Sequence, residues 1–150
     1  MIAEQIDGIG ILEISYDNPW IYNKNIVSSE ILDDYLGFVY LITNMTNGKK
    51  YIGKKLLKFK RTKQIKGKKK KTTIESDWKL YYGSNKELKA DVESLGAHNF
   101  RREILRLCKT KGECNYHEAK LQFKLDVLED KGYYNEWISV KVSRSHIPKN

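Results

Sequence analysis

The chain has 150 residues, 40% of them hydrophobic, which suits one domain with its own core. No run of about 18 apolar residues occurs, and the opening residues lack the basic start and unbroken apolar stretch of a signal peptide, so neither a membrane span nor export is expected. The net charge of +9 is local: eleven of the 28 Lys and Arg lie between Lys54 and Lys71 with no acidic residue among them, leaving 17 basic against 19 acidic residues elsewhere. Such a patch neutralises phosphates and releases counterions, the source of sequence-independent affinity for nucleic acid. A solvated loop or a localisation signal would carry similar charge, but Leu56, Leu57 and Phe59 interleave with it and favour a nucleic-acid contact.

Taken in chain order, residues 1–36 read as an N-terminal extension without chemistry. Within it Pro19 marks a turn, Trp20–Val27 a strand, and SSEILDDYL a short helix. GFVYLIT and KKYIGKK are apolar, β-branched and aromatic runs joined by NMTNG, and Asn47-Gly48 is a hairpin signal because both residues tolerate positive φ. The basic stretch 54–71 follows as an insertion. Ser84 and Glu87 form a capping box ahead of a helix carrying Leu88, Val92 and Leu95, which Gly96 stops. NFRREILRLC reads as a third strand. A second helix starts near Glu113–Asn115 and places Glu118, Leu121, Leu125 and Leu128 on one face. Residues 37–138 thus form a small α+β domain, a hairpin plus a third strand flanked by helices, and 139–150 a tail.

Tyr40 and Tyr51 lie on the two hairpin strands. Any even loop length puts them on one face, whether two residues or four. By themselves cross-strand tyrosines are most often packing. Glu118 on an apolar stripe changes the balance, since a carboxylate there is costly unless paired, protonated or bound to metal. The alternative is that Asn115 caps the helix with Glu118 as its reciprocal partner. Cys108, Cys114 and His117 superficially suggest zinc, but the spacing is off-pattern and no fourth ligand follows; two cysteines without an export signal fit free thiols in a reducing cytoplasm. Trp78, Trp137 and the YYGS tyrosines are candidates for base stacking, with core packing the commoner fate.

FVYLITNMTNGKKYIGK resembles the paired elements of the GIY-YIG nuclease superfamily. Tyr40 falls on the GIY tyrosine, although Phe38 rather than glycine fills the first position, and Tyr51-Ile52-Gly53 is a literal YIG. Arg61 stands where the family carries an arginine about ten residues on, GAHNFRREIL is similar to the strand before its metal-binding helix, Glu118 matches the helix glutamate, and GYYN puts Asn135 on a downstream asparagine. Lys54 matches the lysine that follows YIG in nucleotide-excision-repair members. ESDWKLYYGSNKEL is similar to a stretch of small phage-encoded members. The resemblance covers about residues 37–137.

It implies a DNA endonuclease. Tyr51, or Tyr40, would activate water, Arg61 would stabilise the phosphate, and Glu118 would hold Mg²⁺ or Mn²⁺; Lys54 and Arg61 would lower the phenol pKa, and Asn135 would complete the site. Lys55, Lys58, Lys60, Lys63, Lys66, Lys68, Lys69, Lys70 and Lys71 are the expected contacts to duplex DNA. A homodimer would pair two sites for two strands, and the chain is expected in the cytoplasm of the cell that makes it. The main alternative is a catalytically inactive nucleic-acid-binding module using residues 54–71; a basic RNA-binding protein would explain the charge but not Glu118.

Overall fold

The computed structural model describes residues 16–148. In chain order these form β1 (Ile21–Tyr22), β2 (Asn25–Ile26), α1 (Ser29–Leu32), β3 (Gly37–Asn44), β4 (Lys50–Leu56), β5 (Lys58–Ile65), β6 (Lys68–Glu75), α2 (Lys86–Leu95), β7 (Phe100–Cys108) and α3 (Lys111–Lys124). A mixed sheet runs in the order β2-β1-β7-β3-β4, while β5 and β6 make a separate two-stranded ribbon. This is the α+β class expected, with both hairpin strands and the third strand in place. No helix among the described residues is long and apolar enough to cross a membrane.

β3 lies between β7 and β4 and is buried on both faces, as a nearly unbroken apolar run predicts. Its even-numbered residues, Phe38, Tyr40 and Ile42, join Trp20, Leu88 of α2 and Phe100 in the larger core cluster. Val39, on the opposite face, meets Ile52, Cys108 and Val127 together with Cys114 of α3. Cys108 and Cys114 are therefore interior apolar neighbours, both with free thiols.

The hairpin pairs Thr43 with Lys50 and Tyr40 with Gly53. Asn44 N–H bonds Lys49 C=O, so the loop is the four residues 45–48, closed by Gly48 at φ +79°. The tyrosines do share a face, by the parity argument.

Three local expectations are corrected. First, residues 20–36 are not an appendage. Trp20 is 0% exposed, its indole N–H bonds Trp78 C=O at 2.8 Å, and β1 lies parallel to β7. Second, the N-cap of α2 is Asn85, whose side chain accepts the Leu88 N–H at 2.8 Å, rather than Ser84. Third, α3 begins at Lys111 under a Thr110 cap, so neither Asn115 nor Glu118 has a capping role, and the helix ends before Leu125 and Leu128, both exposed. The row that faces inward is Cys114, Glu118 and Gln122, at steps of one helical turn.

The basic stretch is regular. β5 and β6 pair without slippage from Lys58↔Glu75 to Ile65↔Lys68, turning through Lys66 and Gly67 at φ +51° and +76°. A two-residue loop with both φ positive is the hairpin turn whose twist matches the strands. The tail beyond residue 138 folds back on the domain: Ser139 lines the cleft described next, and the turn Arg144–His146 packs near the start of α3.

Candidate active site

β4 is an edge strand, and α3 leans over its free side. Side chains from both faces of the sheet therefore converge beyond that edge. They line a polar cleft of about 280 Å³ made by Tyr40, Tyr51, Lys54, Tyr81, Glu118 and Gln122, with Ser84, Trp137 and Ser139 at its rim.

Tyr40 lies at the floor, 1% exposed, its ring edge-on to Trp20, Phe38 and Tyr81 at centroid distances of 5.4–6.1 Å. Burial first, then the neighbouring phenols of Tyr81 and Tyr51, holds its hydroxyl well above the ordinary tyrosine pKa. Tyr51 is its cross-strand neighbour, 6.1 Å between ring centroids, and shares a 3.1 Å hydrogen bond with the Ser84 hydroxyl. That hydroxyl is available because Asn85 caps α2. Burial raises the Tyr51 pKa, while the Ser84 bond pulls it down.

Gly53 is the residue opposite Tyr40. A Cβ there would run into the Tyr40 hydroxyl and stand 2.7 Å from its Cζ and 2.9 Å from the Tyr51 ring. The YIG glycine is thus required by space between two phenols, and its own φ is not in the left-handed region.

The peptide of Ile52 points outward from the edge strand and would otherwise be unpaired. Asn135 takes both of its groups: Oδ1 accepts the Ile52 N–H at 3.1 Å and Nδ2 donates to the Ile52 C=O at 2.8 Å. Gln122 donates to the same carbonyl at 2.9 Å. Asn135 therefore acts through the strand between Tyr51 and Gly53. It has no place among the groups lining the cleft.

Glu118 enters from α3 with its side chain 13% exposed and Lys54 Nζ at 3.4 Å. Burial raises the carboxyl pKa, and Lys54 opposes that shift. Gln122, one turn on, leaves Oε1 buried without a hydrogen-bond partner. One carboxylate and one orphaned amide oxygen on the same helix face are the groups that could hold a cation that keeps most of its water, as Mg²⁺ does. No cluster of three or more acidic, His or Cys residues occurs among the described residues, so a cage of protein ligands is not what this site offers.

Arg61 is not brought to the cleft. It sits on β5 opposite Thr72, exposed on the ribbon, and its side chain lines no part of the site. The cation the fold supplies there is Lys54. Lys55 turns away to Asp77, at 2.6 Å, and lies 4.0 Å over the Tyr81 ring.

Tyr81, Ser84, Gln122 and Ser139 were not singled out as site residues by sequence reasoning, beyond Tyr81 as a stacking candidate. Tyr81 is held by a residue that looks like surface in sequence. Arg102, 1% exposed, donates from Nη1 to the carbonyls of Lys79 and Tyr81, both at 2.9 Å, and from Nη2 to Asn18 C=O, while stacking 4.2 Å from the Tyr82 ring. Burial lowers its pKa, yet backbone dipoles and aromatic faces stand in for a carboxylate partner. Trp78 belongs to the core, whereas Trp137, 72% exposed, overhangs the cleft.

Residues 20–138 match the family model described as "Putative endonuclease segE, GIY-YIG domain", a match that starts at the buried Trp20. Over 98 residues the chain is 34% identical to "Putative endonuclease segE" of Enterobacteria phage T4, covering 65% of this chain and 39% of that protein. The chain thus spans about two fifths of the length of the curated relative it matches. No solved structure matches it. With the two tyrosines, the glycine between their rings and the helix glutamate meeting at one strand edge, and with the family model covering most of its length, the chain belongs to the segE-type GIY-YIG family.

Proposed function

We propose that this chain is a metal-dependent DNA endonuclease that hydrolyses phosphodiester bonds in the β4-edge cleft. The observation that carries the reading is the meeting of Tyr51, Lys54 and Glu118, from one edge strand and a distant helix, in a single polar cleft. A buried carboxylate with a raised pKa costs stability, and its position is explained by cation binding better than by packing.

Glu118 and the Gln122 amide oxygen would hold Mg²⁺ or Mn²⁺, which when bound supplies Lewis-acid stabilisation to the phosphate. Lys54, 3.4 Å from Glu118, would meet a non-bridging phosphate oxygen as negative charge builds. Tyr51 is the better base of the two phenols, because it is half-buried with its hydroxyl bonded to Ser84 at the rim, whereas Tyr40 lies 1% exposed at the cleft floor. As the phenolate, a form that a cation bound nearby would favour, it would accept the proton of the attacking water while the P–O bond to the leaving oxygen breaks. Tyr40 sets the Tyr51 ring. The phosphate-stabilising part that family resemblance gives to Arg61 falls to Lys54 here.

Supercoiled plasmid tests this directly. Wild-type protein is expected to nick it with Mg²⁺ or Mn²⁺ and not with EDTA, and Glu118→Ala to abolish nicking while DNA binding persists. Wild-type protein that binds duplex DNA yet leaves it intact with either metal would make the chain a binding module that kept the fold. One cleft cuts one strand, so double-strand breaks would call for two copies of the chain.

A further inference from the structure

The ribbon of β5 and β6 is the largest feature the cleft chemistry leaves unused. Its register sorts the side chains onto two faces. Arg61, Lys63, Lys68 and Lys70 project from one face, Lys58, Lys60, Lys69 and Lys71 from the other, with Lys66 at the turn. Lys63 stands directly opposite Lys70, a like-charge pair that disfavours the hairpin. The strands pair with each other and pack on little else among the described residues. A lone two-stranded hairpin is marginal in water, and one with four cations on each face and no carboxylate until Glu75 is built to meet anions on both sides.

The ribbon is also rooted beside the cleft. Leu57, buried at its base, receives the Ser76 N–H at 2.9 Å and gives its own N–H to Leu36 C=O at 2.7 Å. The chain enters the ribbon from Lys54 and leaves it toward Tyr81, both cleft residues. A groove lined by Lys54, Lys55, Phe59, Ser76 and Asp77 runs between root and cleft.

Size narrows the partner. Eight antiparallel residues extend about 27 Å, and a sheet with side chains on both faces is about 10 Å thick. That matches a DNA major groove about 12 Å wide and exceeds a minor groove of about 6 Å. The major groove of A-form RNA is too narrow and deep for it.

We infer that the ribbon is a clamp that enters the major groove of duplex DNA with one basic face toward each phosphate wall. It grips without reading sequence, since lysines meet phosphates as point charges. The inference rests on duplex DNA being the substrate and adds how that duplex is held.

The test is binding of a labelled mixed-sequence duplex by the full chain in EDTA, across a salt series. R61Q/K63Q/K68Q/K70Q empties one face and K58Q/K60Q/K69Q/K71Q the other. Each set is expected to reduce the slope of log affinity against log salt by about three and a half, and the two together by about seven. An unchanged thermal midpoint in each variant shows the fold intact. A major-groove ligand is expected to displace the wild-type protein, and a minor-groove ligand not to. Loss confined to one face, slopes unmoved by either set, or equal affinity for an RNA duplex would each overturn the clamp. Cleavage is scored separately with Mg²⁺: face-dependent slopes without nicking would sink the nuclease reading alone, and nicking with unmoved slopes would sink the clamp alone.

Discussion

Tyr40, 1% exposed, is held among the rings of Trp20, Phe38, Tyr51 and Tyr81, while Lys70, on the ribbon, has another lysine opposite and solvent beyond. Both lie in paired strands separated by one short stretch of chain. In the cleft, position is fixed by packing: a glycine with no room for a methyl group, an asparagine spending both its groups on one peptide, and a buried guanidinium holding the Tyr81 segment by its carbonyls. On the ribbon, position is fixed only by ladder hydrogen bonds, and charge density does the remaining work. Chemistry needs groups held in place, whereas holding a polyanion needs charge within reach.

The sharpest way to break this contrast is to remove one hydroxyl from the cleft. Tyr51→Phe is expected to lower single-turnover nicking by about 10²–10⁴-fold, the usual contribution of a general base, with DNA affinity retained. Tyr40→Phe should cost less, and the reverse order in the same assay would make Tyr40 the base. Next in size is Asn135→Ala, which strands the Ile52 N–H at a buried site. A loss of about 1–3 kcal/mol is expected by denaturant melt, together with weaker nicking. Full activity in that variant would show that Tyr51 and Gly53 do not depend on the pinned edge.

Arg61→Gln distinguishes the two regions directly. Its exposed place on β5 predicts a salt slope lower by about one and a rate at saturating DNA reduced less than tenfold. A hundredfold drop at saturation would mean the ribbon folds onto the cleft during reaction. The smallest effect concerns Glu118. Its pKa is raised by burial, so folding disfavours the charged form. That cost is fully present above the folded pKa and absent below the ordinary value of 4.5. Glu118→Gln should therefore melt higher than wild type near neutral pH and lose the advantage as pH falls below 4.5. A lower melting point at neutral pH would mean the Lys54 ion pair outweighs burial.

Much of the site was legible because its signals are local or periodic. The hairpin follows from β-branched and aromatic runs around Asn47-Gly48, the shared face of Tyr40 and Tyr51 from parity, and the inward carboxylate from its place on a helix. The capping assignments slipped because Ser84 and Asn85 are both good caps, and the choice was made by Tyr51 and Tyr134, which take the Ser84 hydroxyl and the Asn85 amide. The ribbon was missed because its alternation carries no apolar face, the very signal by which strands are read, leaving only Lys66-Gly67 to mark a turn.

Sequence by itself determined the strands and helices that carry the chemistry, the concentration of charge in one segment, and the family resemblance, since each depends on residue type and spacing along the chain. Tertiary structure alone decided that Trp20 closes the core, that Arg102 is interior, that Lys54 rather than Arg61 faces Glu118, and that Gln122 keeps an unpaired oxygen beside it. Those outcomes depend on which distant segments meet across a sheet edge, and no pattern within a few residues encodes that meeting.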